Sequence, residues 1–227
     1  MADSILPPGN LFAELPAALS RGLFEKARIT KLAADQMLFM AGDPGDGCYR
    51  VEEGLLKASV FASGGGERIL AIFGPGSLVG ELSMIDGMPR SASVAALRPS
   101  KLRLISRAGF DAFARSNPEL YRHVMRLLAR RLRQTNDALA AASFLPLKGR
   151  FARALLNLAE AFGNDVGGGR ILVRLKVTQS DLAGMAGLAR ENVSRILKDW
   201  TERALVSRLA GYYCLENKAA IEREVSM

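Results

Sequence analysis

The chain has 227 residues, enough for two domains that each bury a core. With 49% hydrophobic and 24% charged residues it has a globular composition, which excludes fibrous and low-complexity classes. The net charge of +8 is uneven: 13 basic against 12 acidic residues in 1–116, 5 against 2 in 117–145, and 13 against 9 in 146–227. That excess in the C-terminal half is expected where the half meets a polyanion.

Cys48 and Cys214 lie far apart without a CxxC or Cys/His cluster, and His123 is the single histidine. These counts speak against zinc, haem and iron–sulfur centres and against a Ser/His/Asp triad. Met1-Ala2-Asp3-Ser4 lacks the basic and apolar regions of a signal peptide. No apolar run approaches the ~20 residues that span a bilayer, so the expectation is a cytoplasmic protein with no membrane partner.

Residues 10–27 read as an amphipathic helix, with Leu11, Phe12, Leu15, Leu19, Leu23 and Phe24 at helical spacings. From Ile29 to Ile105 the pattern changes to short β-type runs: Met37-Phe39, Tyr49-Val51, Leu55-Phe61, Ile69-Phe73, Ser93-Ala96 and Lys101-Ile105. Turn clusters at 41–47, 63–66 and 74–76 separate them, which predicts a small antiparallel roll, sandwich or barrel.

Inside this unit, Gly80-Glu81-Leu82-Ser83 and Arg90-Ser91-Ala92 flank a connection rich in turn residues, Asp86-Gly87-Met88-Pro89. Arginine binds phosphate oxygens through a planar fork, while serine and backbone N–H groups add donors. A carboxylate accepts from a sugar hydroxyl. The set therefore suits a phosphorylated sugar; the alternative is a surface Glu–Arg pair on a loop.

Asn117-Pro118-Glu119 is a helix start: an N-cap residue, proline at the first helical position and an acid for the dipole. In the helix that follows, Tyr121, Met125, Leu128, Leu132, Thr135, Leu139 and Ala142 alternate spacings of 4 and 3. Such a heptad seam predicts pairing with an identical helix in a parallel homodimer. Arg122, Arg126, Arg130 and Arg133 lie off the seam, whereas Thr135 is its polar member and Asn136 adjoins it. Pro146 ends the helix and marks a hinge.

A further amphipathic helix carries Phe151, Ala154, Leu155, Leu158 and Ala159 and closes at Gly163. Gly167-Gly168-Gly169 reads as a loop between short strands, because no GK[ST] follows it. Thr178-Gln179-Ser180-Asp181 starts the next helix as the aspartate variant of a capping box, and Gly187 makes a turn. In the helix from Arg190 to Trp200, Val193, Ile196, Leu197 and Trp200 share one face, while Arg190, Glu191, Ser194, Arg195 and Lys198 share the other. This second face has the chemistry of a recognition helix: arginine forks onto guanine and glutamate accepts from cytosine. Leu205-Leu209 and Tyr212-Leu215 around Ala210-Gly211 read as a hairpin, completing a winged helix-turn-helix.

In this order the parts resemble the cAMP receptor protein family (Crp/Fnr-type bacterial regulators) over nearly the whole chain. The resemblance rests on Gly42-Asp43-Pro44-Gly45-Asp46, Gly80-Glu81-Leu82-Ser83 with Arg90-Ser91-Ala92, and Ala129-Arg130-Arg131-Leu132 with Thr135-Asn136. Gly149-Arg150 and the run from Arg190 to Lys198 extend it. It implies an α+β fold: a cyclic-nucleotide-binding β-roll over 1–116, a dimerisation helix over 117–145 and a winged helix-turn-helix over 146–227. It also implies that the protein is not an enzyme, and no base–nucleophile pair or nucleotide-hydrolysing loop argues otherwise.

The family's site residues carry over as expectations. Arg90 and Ser91 would hold a cyclic phosphate, and Glu81 with Gly80 a ribose 2′-hydroxyl, with Leu82, Ser83 and Ala92 beside them. Thr135 would meet the purine, Asn136 would reach the nucleotide of the other subunit, and Arg131 would contribute. A threonine hydroxyl can accept from adenine or donate to guanine, so cAMP is expected and cGMP is also admissible. Arg190, Glu191 and Arg195 would read a half-site similar to TGTGA in double-stranded DNA, with Ser194, Lys198, Thr178 and Gln179 in the same interface. RNA polymerase is the implied partner, and a regulator active without ligand is the alternative within the family. The chain departs from the pattern at Ala189, where an N-cap hydroxyl is expected, and at Pro146, where the hinge has aspartate; Asn136 stands in a serine position.

Overall fold

The computed structural model describes residues 17–25, 27–45 and 47–225. Leu11, Phe12 and Leu15 of the first expected helix lie outside them, as do residues 1–4. Among the described residues the chain forms two compact units, one made of residues within 17–60 and 70–134, the other of residues 61–69 and 135–225.

The first unit begins with α1 (Ala17–Phe24) and then eight strands: β1 (Arg28–Leu32), β2 (Met37–Phe39), β3 (Gly47–Glu53), β4 (Leu56–Phe61), β5 (Glu67–Phe73), β6 (Leu78–Val79), β7 (Ser93–Ala96) and β8 (Ser100–Ser106). Helix α2 (Glu81–Asp86) falls between β6 and β7, and α3 (Arg107–Ser116) follows β8. The strands form two four-stranded sheets, ordered β1-β8-β3-β6 and β2-β7-β4-β5, and every pairing recorded is antiparallel.

Successive strand residues face opposite sides of a sheet, and this builds two cores. Val51, Val79 and Leu102 turn inward and pack with Leu56, Phe73, Val94 and Ala96 between the sheets. Cys48, Leu78 and Ile105 turn outward, against Phe24 of α1, Met84 of α2 and Phe110 of α3. Leu120, Val124 and Leu127 of helix α4 (Glu119–Phe144) complete that outer core. Leu78 and Val79 are neighbours in sequence, yet they belong to different cores.

The stretch before β7 differs from the turn-rich connection expected there. Residues 81–86 form α2, with Gly80 and Gly87 both left-handed at φ 80° and 77°. Neither α3 nor the C-terminal α8 (Lys218–Val225) was expected.

Along α4 the face made by Leu120, Val124 and Leu127 is buried, whereas the expected seam is largely exposed: Met125 is 61%, Leu132 63% and Leu139 66% accessible. Its first part is less free, because the Tyr121 ring sits edge-on to Phe110 at 6.1 Å and Leu128 packs on the outer core.

In the second unit, α5 (Leu147–Phe162) follows Pro146, which stands in extended geometry at its N-cap. The strands β9 (Gly163–Asp165), β10 (Ile171–Val173), β11 (Val206–Leu209) and β12 (Tyr212–Leu215) form a sheet ordered β11-β12-β10-β9, and Gly167–Gly169 turn between β9 and β10. Helices α6 (Gln179–Ala186) and α7 (Arg190–Glu202) precede the β11–β12 hairpin, whose turn is Ala210-Gly211 with both φ positive. The buried face of α7, Val193, Ile196, Leu197 and Trp200, anchors the unit, and the Trp200 ring lies 5.3 Å from that of Phe151 on α5. No helix among the described residues is long and apolar enough to cross a membrane, and no three His, Cys, Asp or Glu side chains there group as metal ligands.

Candidate functional site

A pocket in the first unit opens between the β2-β7-β4-β5 sheet and the N-terminus of α2. Gly80, Glu81, Leu82 and Ser83 line one side, and Arg90, Ser91 and Ala92 line another, so the two halves of the motif meet. Arg131 of α4 closes the wall.

Burial separates these residues by role. Glu81 is 1%, Ser83 2% and Arg90 5% accessible, whereas Leu82 and Ser91 are exposed. A buried carboxylate and a buried guanidinium need partners. Arg90 Nη1 donates to the Gly80 carbonyl at 2.7 Å and the Gly47 carbonyl at 2.9 Å, and its guanidinium lies 4.3 Å from the centre of the Phe39 ring. Its Nε is buried without a hydrogen-bond partner. The Gly42–Gly45 turn holds the arginine's backbone: Arg90 N donates to the Asp43 carbonyl and Gly42 N to the Arg90 carbonyl, each at 2.8 Å. A Cβ at Gly45 would collide with Ser83, so glycine there lets the turn approach α2.

Glu81 pairs with Arg131, whose Nη2 also donates to the Leu78 carbonyl at 2.7 Å. The helix that carries the exposed seam is thereby joined to the pocket. Thr135 and Asn136 follow one turn beyond Arg131 on α4, both exposed, and neither lines this pocket. Phe39 and Arg107 were not foreseen. Arg107 Nη2 donates to the Ser83 carbonyl at 2.6 Å and so supports the C-terminal end of α2. No local pattern marks either residue, since each acts on a residue distant in sequence.

Beside this pocket Cys48 is buried, and desolvation, with the Glu81 charge adding to it, pushes its thiol well above the ordinary range. It is an inert core residue.

In the second unit Thr178 makes the full capping box: its hydroxyl accepts from Asp181 N at 3.0 Å, and Asp181 accepts from Thr178 N at 2.9 Å. Gly187 is left-handed at φ 64° and turns the chain toward α7. Arg190, Glu191, Ser194, Arg195 and Lys198 form one exposed face of α7, with Thr178 exposed and Gln179 half-buried at the start of α6. Ala189 caps α7 without a side-chain hydrogen bond, which leaves the N–H groups of its first turn to other acceptors. The opposite end is held by Lys148 of α5, which donates to Asp199 at 2.8 Å and keeps that carboxyl below its ordinary range.

Residues 29–117 match the cyclic nucleotide-binding domain family, and residues 149–224 the Crp-like helix-turn-helix domain. A CRP-like cAMP-activated global transcriptional regulator of Mycobacterium tuberculosis is 32% identical over 209 residues, covering 92% of both chains. The cyclic AMP receptor protein of Thermus thermophilus is 35% identical over 185 residues, 82% of each chain. Among solved structures, the c-di-GMP-responsive global regulator of Xanthomonas campestris shares the fold, with a TM-score of 0.78 at 22% identity over 89% of this chain and 100% of that one. Two domains in this order, and relatives of this identity over most of its length, show that the chain belongs to the Crp/Fnr family of DNA-binding transcriptional regulators.

Proposed function

We propose that the protein is a homodimeric transcription factor whose affinity for a palindromic, TGTGA-like operator is controlled by cAMP. Its parts would divide as a nucleotide-binding roll over 1–116, a dimerisation helix over 117–145 and a DNA-binding domain over 146–227. The observation that carries the reading is the buried set of Glu81 and Arg90 at the α2 pocket, joined through Arg131 to the long helix.

Arg90 and Ser91 would bind the cyclic phosphate, and Glu81 with Gly80 the ribose hydroxyl. Leu82, Ser83 and Ala92 would shape the pocket, with Thr135 and Asn136 meeting the base at the dimer seam. A ligand that competes for Glu81 and Arg90 changes what Arg131 can hold, and a two-state helix pair would pass that difference to the DNA-binding domains. Arg190, Glu191 and Arg195 would read bases, with Ser194, Lys198, Thr178, Gln179 and the uncapped start of α7 placed for base or phosphate contacts. Two-fold symmetry sets half-sites about one helical turn, ~34 Å, apart. Promoter-bound protein would meet RNA polymerase.

Parallel calorimetric titrations with cAMP and cGMP, repeated with a TGTGA-type palindrome, test this reading. Tight cAMP binding that strengthens DNA binding and is lost in Arg90→Ala supports it. Absence of binding, or binding unchanged in Arg90→Ala, refutes the ligand assignment.

One observation favours a second reading, in which DNA binding needs no ligand. Glu81 and Arg90 already have protein partners in Arg131 and the Gly47 and Gly80 carbonyls, so most of the cradle is satisfied internally. Operator affinity equal with and without cAMP would decide for it.

A further inference from the structure

A second concentration of charge lies in the unit formed by residues 61–69 and 135–227, apart from the α7 face. Arg68, beside the β4–β5 turn, and Arg150 and Arg153 of α5 line a cavity of about 80 Å³. Its other walls are largely the alanines of α4, α5 and α6, and no carboxylate among the described residues lines it. The space suits several waters or one tetrahedral oxyanion, since a single water needs roughly 10–15 Å³ of this kind.

None of the three arginines makes an ion pair among the described residues. Arg150 Nη1 reaches the Gly187 carbonyl only at 3.4 Å, and its Nε is buried without an acceptor. The Arg68 guanidinium lies so close to Gly187 that a Cβ there would collide with it. Burial, with the Arg150 charge adding to it, lowers the Arg68 pKa below its ordinary value. Guanidinium stays protonated in proteins. The cluster therefore pairs three fixed positive charges, one with an unused buried donor, with alanine walls and no counter-charge among the described residues.

We propose that this cavity binds a tetrahedral oxyanion, either free phosphate or the phosphate group of a nucleotide, between Arg68, Arg150 and Arg153. Arginine forks match phosphate oxygens, and Asn157 adds a side-chain amide at the rim. The anion removes the repulsion between Arg68 and Arg150. It also fastens the 61–69 segment to α5 beside Gly187, the turn that leads into the recognition helix. The inference does not depend on the identity of the effector in the roll.

The test follows thermal unfolding of the full chain through Trp200, its single tryptophan, which is fully buried in this unit. Inorganic phosphate is titrated at constant ionic strength without DNA or cyclic nucleotide, with AMP in a parallel arm. Wild type should show a saturable rise in Tm, as binding to the native state requires. In Arg68→Gln and Arg153→Gln that rise should vanish, with phosphate bound about tenfold more weakly or worse. Without phosphate, both variants should unfold at or above the wild-type temperature, because each removes one of the mutually repelling charges. Tighter binding of AMP assigns the site to a nucleotide phosphate, and tighter binding of phosphate assigns it to the free anion. Phosphate also stabilises proteins by exclusion from their surface. Equal shifts in wild type and both variants, or no saturable shift in wild type, overturn the proposal.

Discussion

Arg131 and Glu81, fifty residues apart, form an ion pair in which the carboxylate is 1% and the arginine side chain 22% accessible. It joins the first residue of α2 to the middle of α4. Arg131→Ala would leave the carboxylate buried and unpaired. The expected loss is about 3 kcal/mol, at the low end for a buried pair because the arginine end is partly solvated. In urea unfolding, Arg131→Ala combined with Glu81→Ala should cost clearly less than the sum of the single changes. Additive losses would show that the two side chains do not depend on each other.

Gly80 separates backbone strain from site geometry. It sits at φ 80°, and a Cβ there would stand 2.5 Å from Arg90 Nη1. Gly65 has a similar φ of 82° but open space around its Cβ position. Both Gly80→Ala and Gly65→Ala should lose about 1–2 kcal/mol from left-handed strain. Only Gly80→Ala should also displace Arg90 and weaken cyclic-nucleotide binding in calorimetry. If Gly65→Ala weakens binding equally, displacement of Arg90 is not the cause.

What could be read from the sequence was mostly local. Asn117-Pro118-Glu119, Thr178 with Asp181, and Ala210-Gly211 carry their geometry in adjacent residues, and α4, α6 and the β11–β12 hairpin form where those signals stand. Helix α2 was missed because its six residues lie between two glycines, which read as turn punctuation although they are its left-handed caps. The motif residues at 80–83 and 90–92 could be named from chemistry and resemblance, and they do line one pocket. Their partners could not be inferred, because Phe39 under Arg90 and Arg107 on Ser83 depend on how the strands pair. The seam was legible as a 4–3 repeat, but the repeat gave no sign that Tyr121 and Leu128 also pack on their own unit.

The two helices of the helix-turn-helix start in opposite ways, and this sets a pair of contrary effects. Thr178→Ala removes the hydroxyl half of the capping box, the acceptor of Asp181 N, and should cost about 1 kcal/mol. Ala189 already has the extended N-cap geometry, φ −68° and ψ 147°, without a side-chain acceptor. Ala189→Ser should therefore gain about 1 kcal/mol. Unfolding in urea followed through Trp200 fluorescence reads both in the unit they belong to. A neutral or destabilising Ala189→Ser would mean that the first turn of α7 is already satisfied by other acceptors.

The two faces of α4 allow assembly to be tested without unfolding the chain. Leu120, Val124 and Leu127 are 0%, 5% and 1% accessible and hold the helix to the outer core, whereas Leu132 and Leu139 are more than 60% exposed. A surface of large apolar side chains at heptad spacing is stabilised by a matching helix. A charge placed there would be desolvated on pairing and face its own copy across a two-fold axis. Leu132→Glu and Leu139→Glu should therefore sediment at the single-chain mass of 24.5 kDa, while wild type sediments at twice that mass. Far-ultraviolet circular dichroism should be nearly unchanged, because neither residue belongs to the buried face. Wild type at the single-chain mass, or both variants still at twice it, would assign the exposed stripe to something other than a second copy of the chain.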